Sequence, residues 1–379
     1  MRARIVISLG AMLALALGCH EDPSTGTSPV PAVPTVAPAA PPPSVASSAP
    51  VVPAFVPQRI ADGDQKVMGT HLAMTAYTTP ALDAAKVREA FTAAADEIRR
   101  IEAAMTTWRP DSELSKINDA AGVAPVAVGP ETYDVIKASI HTSEISEGTF
   151  DITFESLHGL WKFDQDLDPH PPTDAQVKAK LPLLSYHHIH MDDAKRTVFL
   201  DAKGVRISLG GIAKGYAVDR AAKVLEDRGL TAFFVQAGGD LYTRGKKPDG
   251  TDWQAGVRDP RGPDGSYFAM LAVSDHAFST AGDYERSYFA NNKRYHHIID
   301  PRTGYPATAS RSVTIWAPTA LQADELDDAV FILGPEKGLA LIESQDGVGA
   351  VIVDAHNKVW VSKRLQGKVE ILRDPTDAP

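Results

Sequence analysis

Val87, Phe91, Ala94, Ile98, Ile101 and Met105 recur every three to four residues and predict one long amphipathic helix packed by that face. Before it, Met68-Gly69-Thr70 opens an alternating run to Tyr77 that reads as a strand. After it, Trp108-Arg109-Pro110 leaves the helix, and Asp111 or Ser112 is placed to cap a short second one. Pro130 and Gly148 bracket a helix that turns Tyr133, Ile136 and Ile140 inward. Residues 164–182 are rich in proline and charge and read as a surface excursion, and 185–200 as a hairpin. Val205, Ile207 and Leu209 alternate with Arg206 and Ser208 as in a half-buried strand, which Gly210-Gly211 breaks. A helix carrying Val218, Ala221, Ala222 and Leu225 follows and stops at Gly229. The run AFFV then gives a strand into Gly238-Gly239-Asp240. Residues 295–299 predict a strand that enters a turn at Asp300 to Gly304. Thr319 caps a helix with Leu326, Ala329, Val330 and Leu333 as its buried stripe, and 347–371 predict two alternating strands.

These elements predict an α+β fold over 58–374: a single large domain of two interlocked halves, with mixed sheets flanked by helices. The strand-helix-strand unit at 205–237 allows a parallel pair, whereas the hairpin and the C-terminal strands are antiparallel. Neither G-x-G-x-x-G nor G-x-x-x-x-G-K-[ST] occurs, so a standard dinucleotide or P-loop fingerprint is excluded.

The first residues read as export chemistry. Arg2 and Arg4 precede an apolar core from Ile5 to Leu17, and Ala16-Leu17-Gly18-Cys19 resembles a bacterial lipoprotein cleavage box. Cys19 is the sole cysteine, which rules out an intrachain disulfide and leaves lipid attachment as its natural role. The expectation is a signal peptide over 1–18, a Pro/Ala-rich tether over 19–57, and a body on the periplasmic side of a bacterial membrane. Net charge is −10, which argues against nucleic acid as a partner and means that a bound polyphosphate needs a cation.

Candidate chemistry gathers at five places. Gly210 and Gly211 at a helix start, with Lys214 in the first turn, suit a phosphate oxygen; they equally suit a tight turn beside a solvated lysine. Trp108 and Arg109 either stack on a planar ligand or form a core tryptophan and a surface arginine. Asp151, among apolar residues, either closes a backbone turn or faces a site. His188 and His190 share a strand face, but no Cys, Asp or Glu partner completes a zinc set at ligand spacing. Asp324 and Asp328 lie at i and i+4, away from the apolar stripe but beside Leu321, where two carboxylates suit Mg²⁺ or an ordinary solvated face.

The pieces MGT, TTWRPDSELSKIN, GTFDIT, SLGGIAKGYAVDR, QAGGD, STAGDY, HHIIDPRTGYP and ADELDDAV, in that order, resemble the FAD:protein FMN transferase (ApbE) family. The resemblance implies an enzyme that splits FAD at its pyrophosphate, moves FMN to a Thr or Ser hydroxyl of a partner protein, and releases AMP with Mg²⁺. It implies Ala213 (through its carbonyl), Asp324 and Asp328 as metal ligands. Flavin nucleotide contacts would come from Met68, Gly69, Thr70, Trp108, Asp151, Gly210, Gly211, Lys214, Asp219, Gly239, Asp240, Thr280 and Asp283. His297 is the general-base candidate, with Asp300 to orient it; the pair equally reads as a satisfied core histidine and a turn-forming aspartate. Asp328 stands where the family usually has Thr, Trp108 where it has Tyr, and Ala281 where it has Ser. Two other readings use the same site: an FAD pyrophosphatase with water as acceptor, and a non-catalytic FAD-binding lipoprotein.

Overall fold

The computed structural model describes residues 55–163 and 166–378, with Asp64 by its backbone alone. The expected signal peptide, Cys19 and nearly all of the tether lie outside the described residues.

The chain begins with a hairpin of β1 (Arg59–Val67) and β2 (Thr70–Tyr77). Its two-residue turn, Met68 and Gly69, has φ of 48° and 73°, the positive pair that a type I′ turn demands. α1 (Ala84–Met105) follows, capped by Asp83, and buries the face expected of it. α2 (Glu113–Asp119) is capped by Ser112, β3 is Val126–Ala127, and α3 (Pro130–Ile145) starts at its proline. The excursion at 164–182 contains α4 (Asp174–Lys180), which Thr173 and Gln176 close with a reciprocal capping box. β4 (Ile189–Asp192) and β5 (Thr197–Leu200) form the expected hairpin, though His187 and His188 fall in a 3₁₀ turn before it.

Residues 205–209 are a correction. Val205, Ile207 and Leu209 are buried as the alternation requires, but the segment is not a strand. Its backbone bonds run instead to the Asn118 side chain, which both donates to Ile207 O and accepts from Ile207 N, and to Ile152 O and Ser156 Oγ. Side-chain alternation reports which face is buried, not what pairs with the backbone. With no strand there, the parallel pair does not form.

α5 (Ala213–Asp227) leads to β6 (Phe233–Ala237) and β7 (Asp240–Arg244). Then come β8 (Gln254–Arg258), β9 (Tyr267–Ala272), β10 (Ala277–Gly282), β11 (Ser287–Ala290) and β12 (Lys293–His296). The strand expected over 295–299 is divided between β12 and β13 (Ile299–Asp300), which pairs with β14 (Tyr305–Pro306). β15 (Ser310–Ala317), α6 (Ala320–Leu333), α7 (Pro335–Glu343), β16 (Gly349–Asp354), β17 (Val359–Val361) and β18 (Val369–Ile371) complete the chain.

Eight strands form the central sheet in the order β1-β2-β6-β7-β10-β15-β16-β17, with every pairing antiparallel. α1, α5 and α6 lie side by side on one face, and the small sheet β18-β9-β8 supplies a second apolar cluster. β15 and β16 divide their side chains between the two clusters: Val313, Ile315, Ala350 and Ile352 go to one, Trp316, Val351 and Val353 to the other. That accounts for the uninterrupted apolar run of β16, which the sequence pattern read as an alternating strand. Phe233 and Phe268, both fully buried, anchor the two clusters at about 1.5–3 kcal/mol each.

Candidate functional site

Two glycine turns and two helices converge at one end of this sheet. Gly238 and Gly239 join β6 to β7, and their missing side chains let other residues approach. A Cβ on Gly238, where φ is +62°, would stand 2.8 Å from Thr70 Oγ1; one on Gly239 would stand 3.1 Å from Thr280 O. Thr70, Gly239, Asp240 and Thr280, far apart in sequence, are thus brought together, with the Met68-Gly69 turn adjoining Thr70.

Neither Gly210 nor Gly211 adopts a positive φ, and of the two it is Gly211 that acts by closeness. A Cβ on Gly211 would come within 3.0 Å of Asp328 Oδ2. α5 starts immediately beyond, and its first turn is already bonded: Ala213 N donates to Leu209 O, and Gly215 N donates to Asp324 Oδ2 at 2.9 Å. The glycine turn therefore meets a carboxylate helix rather than presenting a row of free amides.

Lys214 is the centre of the cluster. Its ammonium lies 2.9 Å from Asp324 Oδ1 and 3.0 Å from Asp240 Oδ2, both buried. Burial opposes its charge, but the two carboxylates outweigh burial and hold its pKa above the usual lysine value. Burial, with Asp240 adding to it, pushes Asp324 up to about 7 despite Lys214; burial likewise raises Asp328 to about 6, against the pull of Lys214 and Arg286. Asp328 accepts no hydrogen bond from the described residues.

Asp327 and Ser279 were not expected here. Ser279 Oγ lies 2.8 Å from Asp240 Oδ1 and 2.6 Å from Asp327 Oδ2, and the hydroxyl has one hydrogen for two acids. One of those contacts requires a protonated carboxyl. Asp327 is the one that supplies it, since burial and then Asp328, Asp324 and Asp240 drive its pKa well up. The signal in the sequence is its spacing: Asp327 is three residues from Asp324 and so shares its face.

His297 is half-buried, with Nδ1 enclosed and without a partner among the described residues. Burial, then the nearby charge of Arg286 and the neighbouring His296, lower its pKa well below the usual histidine value, so the imidazole is neutral at pH 7. Asp300 does not orient it. Both Asp300 oxygens are held by Arg302, at 2.9 and 2.8 Å, within the turn. Three residues expected as nucleotide contacts are likewise committed elsewhere. Asp151 accepts from Thr153 N, Thr153 Oγ1 and Tyr186 N, which is its turn-closing reading; Asp283 forms a two-bond pair with Arg261; and Asp219 accepts from Ala320 N and Leu321 N. Trp108 is 78% exposed, neither core nor stacked, and Arg109 pairs with Asp111. His188 and His190 both reach Asp201, at 2.6 and 2.8 Å, a carboxylate that spacing alone did not assign to them.

Among the described residues no group of three or more His, Cys, Asp or Glu is arranged to hold a metal ion. A hard dication that uses two carboxylates, a carbonyl and substrate oxygens does not need one. The chemistry of the donors fits such an ion: two aspartates hold one ammonium, the charges of Asp327 and Asp328 act on the same cluster, and Asp328 has unused lone pairs. A mixed antiparallel α+β body with a lysine-carboxylate cluster at a glycine-lined sheet end is the class that fold and site define.

The chain belongs to the ApbE family, whose model matches residues 68–352. Its relatives include proteins named FAD:protein FMN transferase. That of Treponema pallidum (strain Nichols) is 32% identical over 81% of this chain and 88% of its own length. That of Klebsiella pneumoniae (strain 342) is 31% identical over 80% and 87%. Among solved structures, the ApbE protein from Thermotoga maritima superposes with a TM-score of 0.73 at 32% identity, covering 82% of this chain and 99% of its own. The flavin transferase ApbE from Vibrio cholerae gives 0.71 at 26%, covering 83% and 100%.

Proposed function

We propose that the chain is an FAD:protein FMN transferase that moves FMN from FAD to a Thr or Ser hydroxyl of a partner protein, releasing AMP, with Mg²⁺ bound by Ala213 O, Asp324 and Asp328. The observation that carries this reading is the lysine-carboxylate cluster, with its uncommitted Asp328, in the same site as a neutral histidine. Family membership points the same way. In the transfer, the acceptor oxygen attacks the FMN phosphorus, the bond to the bridging pyrophosphate oxygen breaks, AMP departs, and the hydroxyl proton passes to His297. Neutral His297 is in the state that accepts a proton. The metal supplies charge neutralisation at the pyrophosphate. Lys214 contributes a fixed positive charge, and phosphoryl-type transfer depends chiefly on such positioning and neutralisation.

The export segment and the single Cys19 support a lipid-anchored protein on the periplasmic face of its membrane, tethered through the Pro/Ala segment. Cys19→Ala then releases the protein from the membrane fraction with FAD turnover unchanged; continued membrane association rejects the anchor.

Product analysis tests the activity. Incubated with FAD, Mg²⁺ and a flavin-acceptor peptide, the protein is expected to yield peptide-bound FMN and AMP. Free FMN plus AMP, with or without peptide, would establish hydrolysis instead, and intact FAD would establish binding alone.

A further inference from the structure

Asp219 belongs to a motif that sequence resemblance assigns to nucleotide contact, yet its geometry is that of a brace between two helices. It sits on α5, and its oxygens accept from the first two amides of α6, Ala320 N at 2.8 Å and Leu321 N at 2.9 Å. Thr319 Oγ1 takes the third, Gln322 N, at 3.2 Å, and Thr319 O takes Ala323 N at 3.1 Å. The amino end of α6 is closed entirely by protein groups, so neither Asp219 nor those amides remain for a phosphate. One turn earlier on the same face of α5 is Gly215. A Cβ there would collide with Ala320 O and come within 2.7 Å of Asp324 Cβ, while Gly215 N itself donates to Asp324 Oδ2.

We propose that Gly215 and Asp219 form a two-point clamp that fixes the position of α6, and with it the carboxylates of Asp324 and Asp328, against the Lys214 helix. Asp219 is thus a positioning residue for metal binding rather than a contact to FAD. The inference rests on the metal-dependent transferase reading, and its test separates the two.

Asp219→Asn keeps the side-chain shape but sets an NH₂ against a backbone N–H, and Gly215→Ala attacks the other point of the clamp. Three quantities are read in wild type and both variants: Mn²⁺ affinity without FAD, by the electron paramagnetic resonance of free Mn²⁺; FAD affinity without metal, by flavin fluorescence; and amide exchange at residues 324–328. The clamp predicts Mn²⁺ binding weakened roughly 10–100-fold, as for other groups that orient a metal ligand. It also predicts unchanged metal-free FAD affinity and faster exchange at 324–328. Loss of FAD affinity with Mn²⁺ binding intact would make Asp219 a direct FAD contact. Unchanged Mn²⁺ affinity with only a lower melting temperature would leave it an ordinary cap; either result overturns the clamp. Should wild type bind no Mn²⁺, the metal-dependent reading fails by itself, and unchanged exchange at 324–328 would then overturn the clamp as well.

Discussion

α1 and α6 lie on either side of α5, on the same face of the central sheet, and solve opposite problems. α1 buries one face, from Val87 to Met105, and keeps its charges in water, where Arg99 pairs with Asp96. α6 is buried nearly all round, and its buried set includes Asp324 and Asp327 as well as Leu326, Val330 and Phe331. Burying carboxylates costs free energy that an apolar helix would not spend. A fold under selection for stability alone has no use for three aspartates in five residues there, so the difference separates scaffold from site.

The comparison breaks most readily at Lys214 and Phe91. Lys214→Met leaves Asp240 and Asp324 buried without their ammonium. It is expected to cost about 3–5 kcal/mol at pH 8 and to abolish turnover. Phe91→Ala empties a fully buried site on α1 and is expected to cost a similar amount, about 3–5 kcal/mol, while turnover per folded molecule holds. Denaturant midpoints and FAD cleavage on the same samples check both; full activity in Lys214→Met would remove the cluster from the chemistry.

Next in size is the pH response. Asp324 and Asp328 are raised from 3.8 to about 7 and about 6, so each binds its proton more tightly when folded. Their contribution to stability is therefore fully present below about pH 4 and is lost as pH rises through 6 to 7, amounting to on the order of several kcal/mol. Metal-free protein should lose melting temperature across that window. Mg²⁺ at a hundredfold excess over its Kd should return roughly 2.7 kcal/mol at pH 8 and little at pH 5. Calorimetry at the two pH values decides it, and equal Mg²⁺ effects at both would deny that these carboxylates bind the ion.

The two helices also differ in how legible they were. α1's face could be read because a helix with one wet side writes its burial into the sequence at period 3.6. α6 has no wet side to mark the pattern, so the pattern alone left Asp328's side open between a metal pair and a solvated face, and Asp327 disclosed nothing without Ser279 from β10 beside it. The same limit applies at 205–209, where Asn118, 89 residues away in sequence, takes the backbone bonds a neighbouring strand would have taken. The structure brings the motif residues Lys214, Asp240 and Asp324 into contact with one another. The oxygens of Asp151, Asp219, Asp283 and Asp300 are taken by other protein groups; a motif records that a carboxylate is needed and not which hydrogen bonds its oxygens make.

Asp328→Thr sharpens the comparison within α6. Thr keeps one oxygen but removes a charge, and a unit charge pair about 4 Å apart at an effective dielectric near 20 is worth roughly 4 kcal/mol before desolvation. Mg²⁺ affinity should fall while turnover survives at high Mg²⁺. Asp324→Ala should show no rescue at any concentration, since Gly215 N loses its acceptor, and Lys214 Nζ one of its two carboxylates, along with the ligand. Titrating Mg²⁺ against FAD cleavage separates the two, and unchanged metal dependence in both would return α6 to scaffold.

The smallest effect is expected on the outer face of α1. Arg99 donates to Asp96 Oδ1 at 2.8 Å and to Gln65 Oε1 at 2.7 Å, with both charged side chains largely exposed. In water such contacts replace equally good hydration, and two long side chains lose freedom to hold one geometry. Arg99→Ala should therefore shift stability by less than about 0.5 kcal/mol, with no change in Mg²⁺ dependence or turnover. Raising the salt should not widen that difference, because screening acts on an interaction already close to zero. A loss above roughly 1.5 kcal/mol, or any change in metal dependence, would mean that α1 holds more than its apolar face and that scaffold and site are not divided between the two helices.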